Sequence, residues 1–176
     1  MIGPTLLAFY FLLTKRLTVK NLVLAGSLFG IAALYKIPAA FDLPVIIVFW
    51  LITSGLKDWK QIFRKTFYLT VGFLTPIFLT LIWYFLKGSL LEYINAAFLQ
   101  NVGYLSSFRP GDIQKSFIIR NAPLLIRAGL VFFGVLLLAG FQKKISKNFL
   151  FACLWLIFSL FAVTLSERPY PHYLVQ

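Results

Sequence analysis

"NLVLAGSLFGIAALYKIPAAFDLPVIIVFWLITSGL", residues 21–56, is the stretch that decides the fold. Lys36 and Asp42 are its only charged residues. The apolar runs on either side of Lys36 lack the polar and apolar alternation of a barrel strand, and backbone amides in lipid must be satisfied within their own segment. We therefore predict two membrane-spanning helices, 21–36 and 37–56, joined by a tight hairpin at Lys36.

The whole chain has the composition of a membrane protein, with 60% hydrophobic and only 12% charged residues among 176. A bilayer crossing needs about 20 helical residues. The predicted fold is accordingly all-α, a polytopic transmembrane helix bundle that forms a single membrane-embedded domain over residues 1–176. It has about six spans, which we place at residues 1–14, 21–36, 37–56, 66–86, 122–141 and 149–166.

Basic residues are distributed unequally between the two sides of this bundle. The connections 15–20, 57–65 and 143–147 hold ten basic residues and one acid, a net charge of +9, whereas the other side holds seven basic residues and four acids, a net charge of +3. The more basic side is predicted to be cytoplasmic, which makes the C-terminal tail extracytoplasmic. Cations between apolar runs suit anionic head groups, so membrane lipids are expected partners and nucleic acid is not.

A long connection joins the fourth and fifth spans on the extracytoplasmic side, residues 87–121. A length of 35 residues without a span is unusual and indicates a role. Its first part has apolar residues at helical spacing, which predicts an amphipathic helix lying in the head-group plane. A turn at Pro110 and Gly111 would then hold Arg109 near the membrane surface. The alternative is an inert interfacial helix followed by a surface loop.

Charged residues near the ends of spans have two interpretations each. Lys36 could simply extend its ammonium group toward water. Asp42, about one turn into the third span, is costly near hydrocarbon unless it is paired or faces water, and Lys36 is a possible partner. Arg127, about five residues into the fifth span, could pair with a lipid phosphate or extend outward. The tail 166–176, "SERPYPHYLVQ", could be a proline-stiffened loop with interfacial tyrosines.

Gly26 and Gly30 form a small-xxx-small pair within the second span. Such a pair lets a neighbouring helix backbone approach closely. We predict that these two glycines serve helix packing.

Four features of the chain together carry a family resemblance. They are the glycine-spaced span "LAGSLFGIAALYKIPAAF", the basic cytoplasmic patch, "NVGYLSS" in the long outer connection, and the terminal "RPYPHYLVQ". In this order they resemble the GT-C superfamily of membrane glycosyltransferases, closest to its family 39 type, the protein O-mannosyltransferase and lipid A aminoarabinose transferase branch. The resemblance covers nearly the whole chain.

The resemblance implies an enzyme that transfers a hexose or pentose from a polyprenyl-phosphate carrier to a glycan, lipid or protein acceptor. It would act on the extracytoplasmic face of a bacterial or archaeal plasma membrane. The family's catalytic carboxylate lies in the first outer loop near a pair of acids, and this chain has neither. The family also continues beyond both ends of this chain. We therefore expect a fragment, truncated at both ends, that holds no catalytic residue and is inactive alone.

Transfer from a lipid phosphate requires a base for the acceptor hydroxyl and cations for the departing phosphate, whose charge grows in the transition state. We expect Lys36 and Arg168 to contact the donor phosphate, with Arg109 as a weaker candidate. By resemblance, His172 and Tyr173 would hydrogen-bond the phosphate or the sugar. Supporting positions are Asp42, Tyr104, Arg127 and Glu167.

No cofactor is expected beyond the polyprenyl-phosphate sugar, which is the donor substrate. One histidine and scattered acids do not form a metal-ligand set, so no metal site is predicted either. A transporter or lipid flippase is one alternative, but its paired charges would lie near the membrane midplane in repeated halves. A non-catalytic membrane scaffold is another, and it leaves the outer basic residues without a role.

Overall fold

The computed structural model describes residues 2–99 and 116–165. All regular structure within these ranges is helical, which confirms the all-α fold class. The helices are α1, Ile2–Thr14; α2, Val19–Tyr35; α3, Asp42–Ser54; α4, Trp59–Leu86; α5, Leu90–Ile94; α6, Phe117–Phe141; and α7, Lys147–Thr164. Short 3-10 turns, Ile37–Phe41 and Leu56–Asp58, lead into α3 and α4, and a π-helical turn, Asn95–Leu99, extends α5.

Four helical segments of the described chain are long and apolar enough to cross a membrane, Ile37–Ser54, Trp59–Leu86, Asn121–Phe141 and Lys147–Thr164. The other two predicted spans correspond to α1, with 13 residues, and α2, with 17. At 1.5 Å per residue, α2 is about 26 Å long, a little short of a hydrocarbon core of about 30 Å. The structure therefore shows four candidate spans, and the count of six remains a prediction.

Two helices begin earlier than the apolar runs that predicted them. α4 starts at Trp59 and not at 66, and α6 starts at Phe117 and not at 122. Hydropathy marks only the part of a helix that lipid can cover, whereas Lys60 and Arg64 are good helix formers that extend α4 into the polar region. The basic connection before α4 is thus partly helical.

The closest helix contact in the bundle is between α2 and α4, which run parallel with α3 between them in the chain. A Cβ atom added at Gly26 would lie 2.1 Å from the Leu69 carbonyl oxygen, and one at Gly30 would lie 2.2 Å from that of Phe73. Ser27 donates a hydrogen bond to the Gly72 carbonyl oxygen at 3.1 Å. Backbone approach this close is possible only for glycine, which confirms the predicted packing role of Gly26 and Gly30.

An aromatic cluster fills the space between α1, α2 and α7. The ring of Phe9 meets three others edge-on, those of Phe29, Phe151 and Trp155, with centroids 5.1, 4.9 and 5.3 Å away. Edge-to-face pairs of this kind stabilise a core beyond the area they bury. Phe9 therefore holds α1 against the rest of the bundle.

Consecutive helices run in opposite directions, so the bundle has two distinct ends. Phe41 meets Phe161 and Phe49 meets Phe151, which shows α3 and α7 to be antiparallel. One end, here called the basic end, carries the connections 15–18, 55–58 and 142–146 between helices. The opposite end carries the C-terminal ends of α2, α4 and α7 and the N-terminal ends of α1, α3 and α6.

The outer surface of the bundle is apolar along most of its length. Large hydrophobic side chains are exposed on α4, including Phe78, Leu79 and Trp83, and on α6, including Phe132 and Phe133. Patches of this size on a soluble protein would be an aggregation hazard. These exposed faces are compatible with an integral membrane protein in which lipid covers α4 and α6.

The start of the long connection after α4 is helical, as predicted. α5 and its π-helical extension together cover residues 90–99. Tyr93 of α5 stacks on Tyr84 of α4 with ring centroids 4.2 Å apart, so the helix folds back against the end of α4. Its location in the head-group plane stays a prediction.

Candidate functional site

The candidate site lies at the opposite end of the bundle, where Lys36, Asp42 and Arg127 are found. Pro38 lies in the first turn of the 3-10 segment that connects α2 to α3. The missing amide hydrogen of proline is unneeded at the start of a helical turn. This short connection places Lys36 at the end of α2 and Asp42 at the first residue of α3.

Asp42 is the centre of a junction between three helices. Its Oδ2 accepts a hydrogen bond from Thr5 Oγ1 of α1 at 3.2 Å, and its Oδ1 accepts one from Trp155 Nε1 of α7 at 2.9 Å. Thr5 is only 3% exposed. A polar group at a partly buried position is costly unless it is hydrogen-bonded, and each carboxyl oxygen of Asp42 has a donor. Asp42 therefore joins α1, α3 and α7.

The sequence left open whether Asp42 is paired or faces water, with Lys36 as a possible partner. The hydrogen-bond partners that the structure gives the carboxylate are Thr5 and Trp155. Neither was singled out from the sequence. A tryptophan in the middle of an apolar run does carry a signal, because a buried indole N–H usually finds an acceptor. Thr5 carries no comparable signal, since a threonine hydroxyl can donate its hydrogen bond to a backbone carbonyl oxygen of its own helix.

The aromatic cluster fixes the indole that Asp42 binds. The ring of Trp155 packs against Phe9, with centroids 5.3 Å apart, and against Phe151, at 6.4 Å. A ring held on two sides has little freedom to turn its N–H away from the carboxylate. Apolar packing and the polar junction thus support each other.

Arg127 joins α6 to α7. Its Nη1 donates a hydrogen bond to the backbone carbonyl oxygen of Thr164, in the last turn of α7. The last four carbonyl groups of a helix have no partner within it, and a guanidinium there also complements the negative end of the dipole. From the sequence, Arg127 could pair with a lipid phosphate or extend outward. The structure adds a third role, the capping of α7.

Lys36 separates α2 from the 3-10 turn. Its own N–H donates to the Ala32 carbonyl oxygen at 3.0 Å, and its carbonyl oxygen accepts from the Ala39 N–H at 2.9 Å. The backbone is extended at this residue, with φ −157° and ψ 114°. The side chain is half-buried at the opposite end of the bundle. These two backbone hydrogen bonds fix the position from which the Lys36 side chain extends.

Asp42 and Arg127 both bind α7, but at different depths. Their partners on α7, Trp155 and Thr164, are nine residues apart in the chain, which corresponds to about 13 Å along a helix. The two contacts are therefore separate, with Asp42 nearer the middle of the bundle and Arg127 nearer its end.

Six of the predicted positions lie outside the described residues, namely Tyr104, Arg109, Glu167, Arg168, His172 and Tyr173. The remaining three, Lys36, Asp42 and Arg127, lie in the half of the bundle away from the basic end, where Asp42 and Arg127 contact α7 at separate depths. Among residues 2–99 and 116–165, no three His, Cys, Asp or Glu side chains form a group that could hold a metal ion.

Comparison with known proteins found no matching family model, no similar curated protein and no similar solved structure.

Proposed function

We propose that the chain is part of a membrane glycosyltransferase that moves a sugar from a polyprenyl-phosphate donor to an acceptor on the extracytoplasmic face. The observation that carries the proposal is that Lys36 ends α2, and Arg127 caps the end of α7, on the side of the bundle away from the basic end. Both cations lie beside exposed apolar helices. A lipid-linked phosphate, with a charged head on a hydrocarbon chain, matches that combination of surfaces.

The tail that follows α7 supplies the other proposed donor contacts. Arg168 follows Thr164, the last residue of α7, by four positions in the sequence. The guanidinium of Arg168 would bind phosphate oxygens through two parallel N–H groups. Lys36 would add a point charge, and His172 and Tyr173 would hydrogen-bond the phosphate or the sugar. Arg109 and Tyr104, from the long connection, are further candidates.

The proposed contribution of these cations to catalysis is electrostatic. As the sugar leaves, negative charge grows on the phosphate, and preorganised cations in a water-poor site stabilise it more than they stabilise the ground state. One aligned guanidinium in such a site is expected to be worth about a hundredfold in rate. The base for the acceptor hydroxyl would come from the rest of the enzyme. Asp42 keeps a supporting role, because Thr5 and Trp155 already occupy both of its oxygens.

Replacement of Arg168 in the full-length enzyme tests the proposal. Membrane vesicles with R168A or K36A would be assayed for transfer of labelled sugar from the polyprenyl-phosphate donor. We expect about a hundredfold lower kcat for R168A and a raised KM for the donor in both variants. K143Q, which removes one charge from the basic end, is the matched control and should transfer normally. Unchanged transfer by R168A at saturating donor would overturn the proposed role, and donor movement across the vesicle without transfer would favour a flippase.

We also propose that α1 and α2 cross the membrane, which makes six spans with the connection 15–18 in the cytoplasm. If α1 and α2 stayed on one side, the same connection would be extracytoplasmic, while the tail would keep its side. A cysteine placed at Arg16 in a C153S background reports the difference by labelling with a membrane-impermeant maleimide in whole cells. Protection until the cells are opened is the expected result, and labelling of intact cells would reduce the count to four.

A further inference from the structure

The first two turns of α4 carry two exposed stripes of opposite character. Trp59, Phe63 and Phe67 recur at every fourth residue and are 57, 67 and 55% exposed. Lys60 and Arg64 repeat the same spacing one residue later and are also exposed. Successive residues differ by about 100° around a helix, so the stripes lie side by side. An aromatic surface thus adjoins a cationic one over about 12 Å of helix.

The two stripes of α4 differ from an ordinary basic surface because one of them consists of exposed aromatic rings. A soluble polyanion would contact the charged side chains only. It would leave the three large rings exposed to water. A phospholipid has both an anionic head and acyl chains. The helix continues inward from Phe67 as an apolar span to Leu86, so the aromatic stripe leads from the membrane surface into the hydrocarbon.

Neighbouring residues keep this surface basic and pack its helix against the bundle. Lys57 is exposed just before α4, and Asp58 is the one acid in the connections at this end. Lys65 lies on the other side of the helix, where its ammonium is 5.7 Å from the ring centroid of Trp50 in α3. That cation–π contact, together with the buried Ile62, holds the first turns of α4 against the bundle. The two stripes are therefore presented on a supported helix.

We propose that Lys60 and Arg64 bind the phosphate of one anionic phospholipid whose acyl chains lie along Phe63 and Phe67. The guanidinium of Arg64 binds the phosphate oxygens through paired N–H groups, while Lys60 adds a second charge one turn nearer the water. Trp59, at the start of the helix, lies on the water side of Lys60, in the head-group region where amphipathic rings are favoured. This site is at the end of the bundle away from Lys36 and does not depend on the proposed glycosyl transfer.

Native mass spectrometry of the full chain in detergent, titrated with phosphatidylglycerol or phosphatidylcholine of the same acyl chains, measures this binding. The wild type is expected to prefer phosphatidylglycerol. Two basic side chains near an anionic head group together account for about a thirtyfold preference, so K60Q/R64Q should lose about that factor. F63A/F67A should weaken both lipids and leave their ratio unchanged. Each variant is first checked for native helicity by circular dichroism, and a double variant that fails is replaced by its two single variants.

K143Q/K144Q is the matched control, because it removes two exposed charges from another connection at the same end. It should change the preference by less than threefold. Equal loss in K143Q/K144Q and K60Q/R64Q would overturn the site in favour of a diffuse charge effect. Equal affinity of the wild type for both lipids would overturn it outright, and so would full displacement of the lipid by glycerol phosphate, which has the head-group chemistry without the chains.

Discussion

Substitution of Gly26 by alanine should separate α2 from α4. The new Cβ would lie 2.1 Å from the Leu69 carbonyl oxygen, whereas ordinary contact begins at 3.4 Å, so the two backbones must move apart by about 1.3 Å. That displacement would lengthen the hydrogen bond from Ser27 to the Gly72 carbonyl oxygen from 3.1 Å to about 4.4 Å, beyond bonding range.

The cost has two parts. Overpacking a well-filled contact typically costs about 1–3 kcal/mol, and an interhelical hydrogen bond in a membrane is worth about 0.6 kcal/mol. Gly26→Ala should therefore lower the free energy of unfolding by about 2–4 kcal/mol. Titration with dodecyl sulfate in dodecylmaltoside micelles, followed by circular dichroism, measures this quantity. Gly129→Ala on α6 is the matched control, since nothing lies within 4 Å of its added Cβ, and it should change stability by less than about 0.5 kcal/mol.

A double variant sharpens the test. Gly72→Ala should also destabilise, because its Cβ would meet the Val23 carbonyl oxygen at 2.1 Å across the same interface. Once one alanine has parted the helices, the second costs little, so Gly26→Ala and Gly72→Ala should be strongly sub-additive. Additive losses, or a Gly26→Ala variant as stable as Gly129→Ala, would refute the inference that glycine contact between α2 and α4 sets their distance.

Three further substitutions test the core and the candidate site. Phe9→Ala removes a ring with three edge-on neighbours and should cost about 3–5 kcal/mol of unfolding free energy in the same titration. Asp42→Ala leaves the buried Thr5 hydroxyl and the half-buried Trp155 indole N–H without an acceptor and should cost about 1–3 kcal/mol, whereas Trp155→Phe, which keeps most of the ring, should cost about 1–2 kcal/mol. Arg127→Gln uncaps α7 and should speed amide hydrogen exchange in its last turn, near Thr164, by about fivefold.

Matched controls separate these effects from the general cost of substitution. Phe132→Ala and Trp83→Phe alter rings that are 65 and 59% exposed and should leave stability nearly unchanged. Lys143→Gln removes a charge just beyond the other end of α6 and should leave exchange at the end of α7 as it was. If Trp155→Phe were as mild as Trp83→Phe, the hydrogen bond to Asp42 would not contribute to stability. Unchanged exchange in Arg127→Gln would remove the capping role.

The all-α class was predictable because only helices and closed barrels can satisfy their backbone hydrogen bonds in lipid. Long apolar runs without alternation can satisfy their backbone only as helices, and this rule identified α3, α4, α6 and α7. The starts of α4 and α6 were misplaced, since the apolar limit of a span and the end of a helix are different physical boundaries. α1 and α2 are also apolar helices, but each is shorter than the length that a membrane crossing needs.

The partners of Asp42 were not predictable from sequence spacing. Trp155 is 113 residues away in the chain, and only the antiparallel packing of α3 and α7 brings it to the carboxylate. Lys36, the partner that proximity along the chain suggests, stays a prediction. In contrast, the packing role of Gly26 and Gly30 could be predicted, because small residues one turn apart let a neighbouring helix backbone approach closely.

The close contact of α2 with α4 bears on how the protein is made. The ribosome releases these two partners separately, since Ser27 and Gly72 are 45 positions apart and α3 must be threaded out between them. At about 5–20 residues per second, about 2–9 seconds pass between the synthesis of the glycine face of α2 and that of its partner on α4. A polar or bulky residue on that face would therefore act during biosynthesis, before any folded bundle exists to be destabilised.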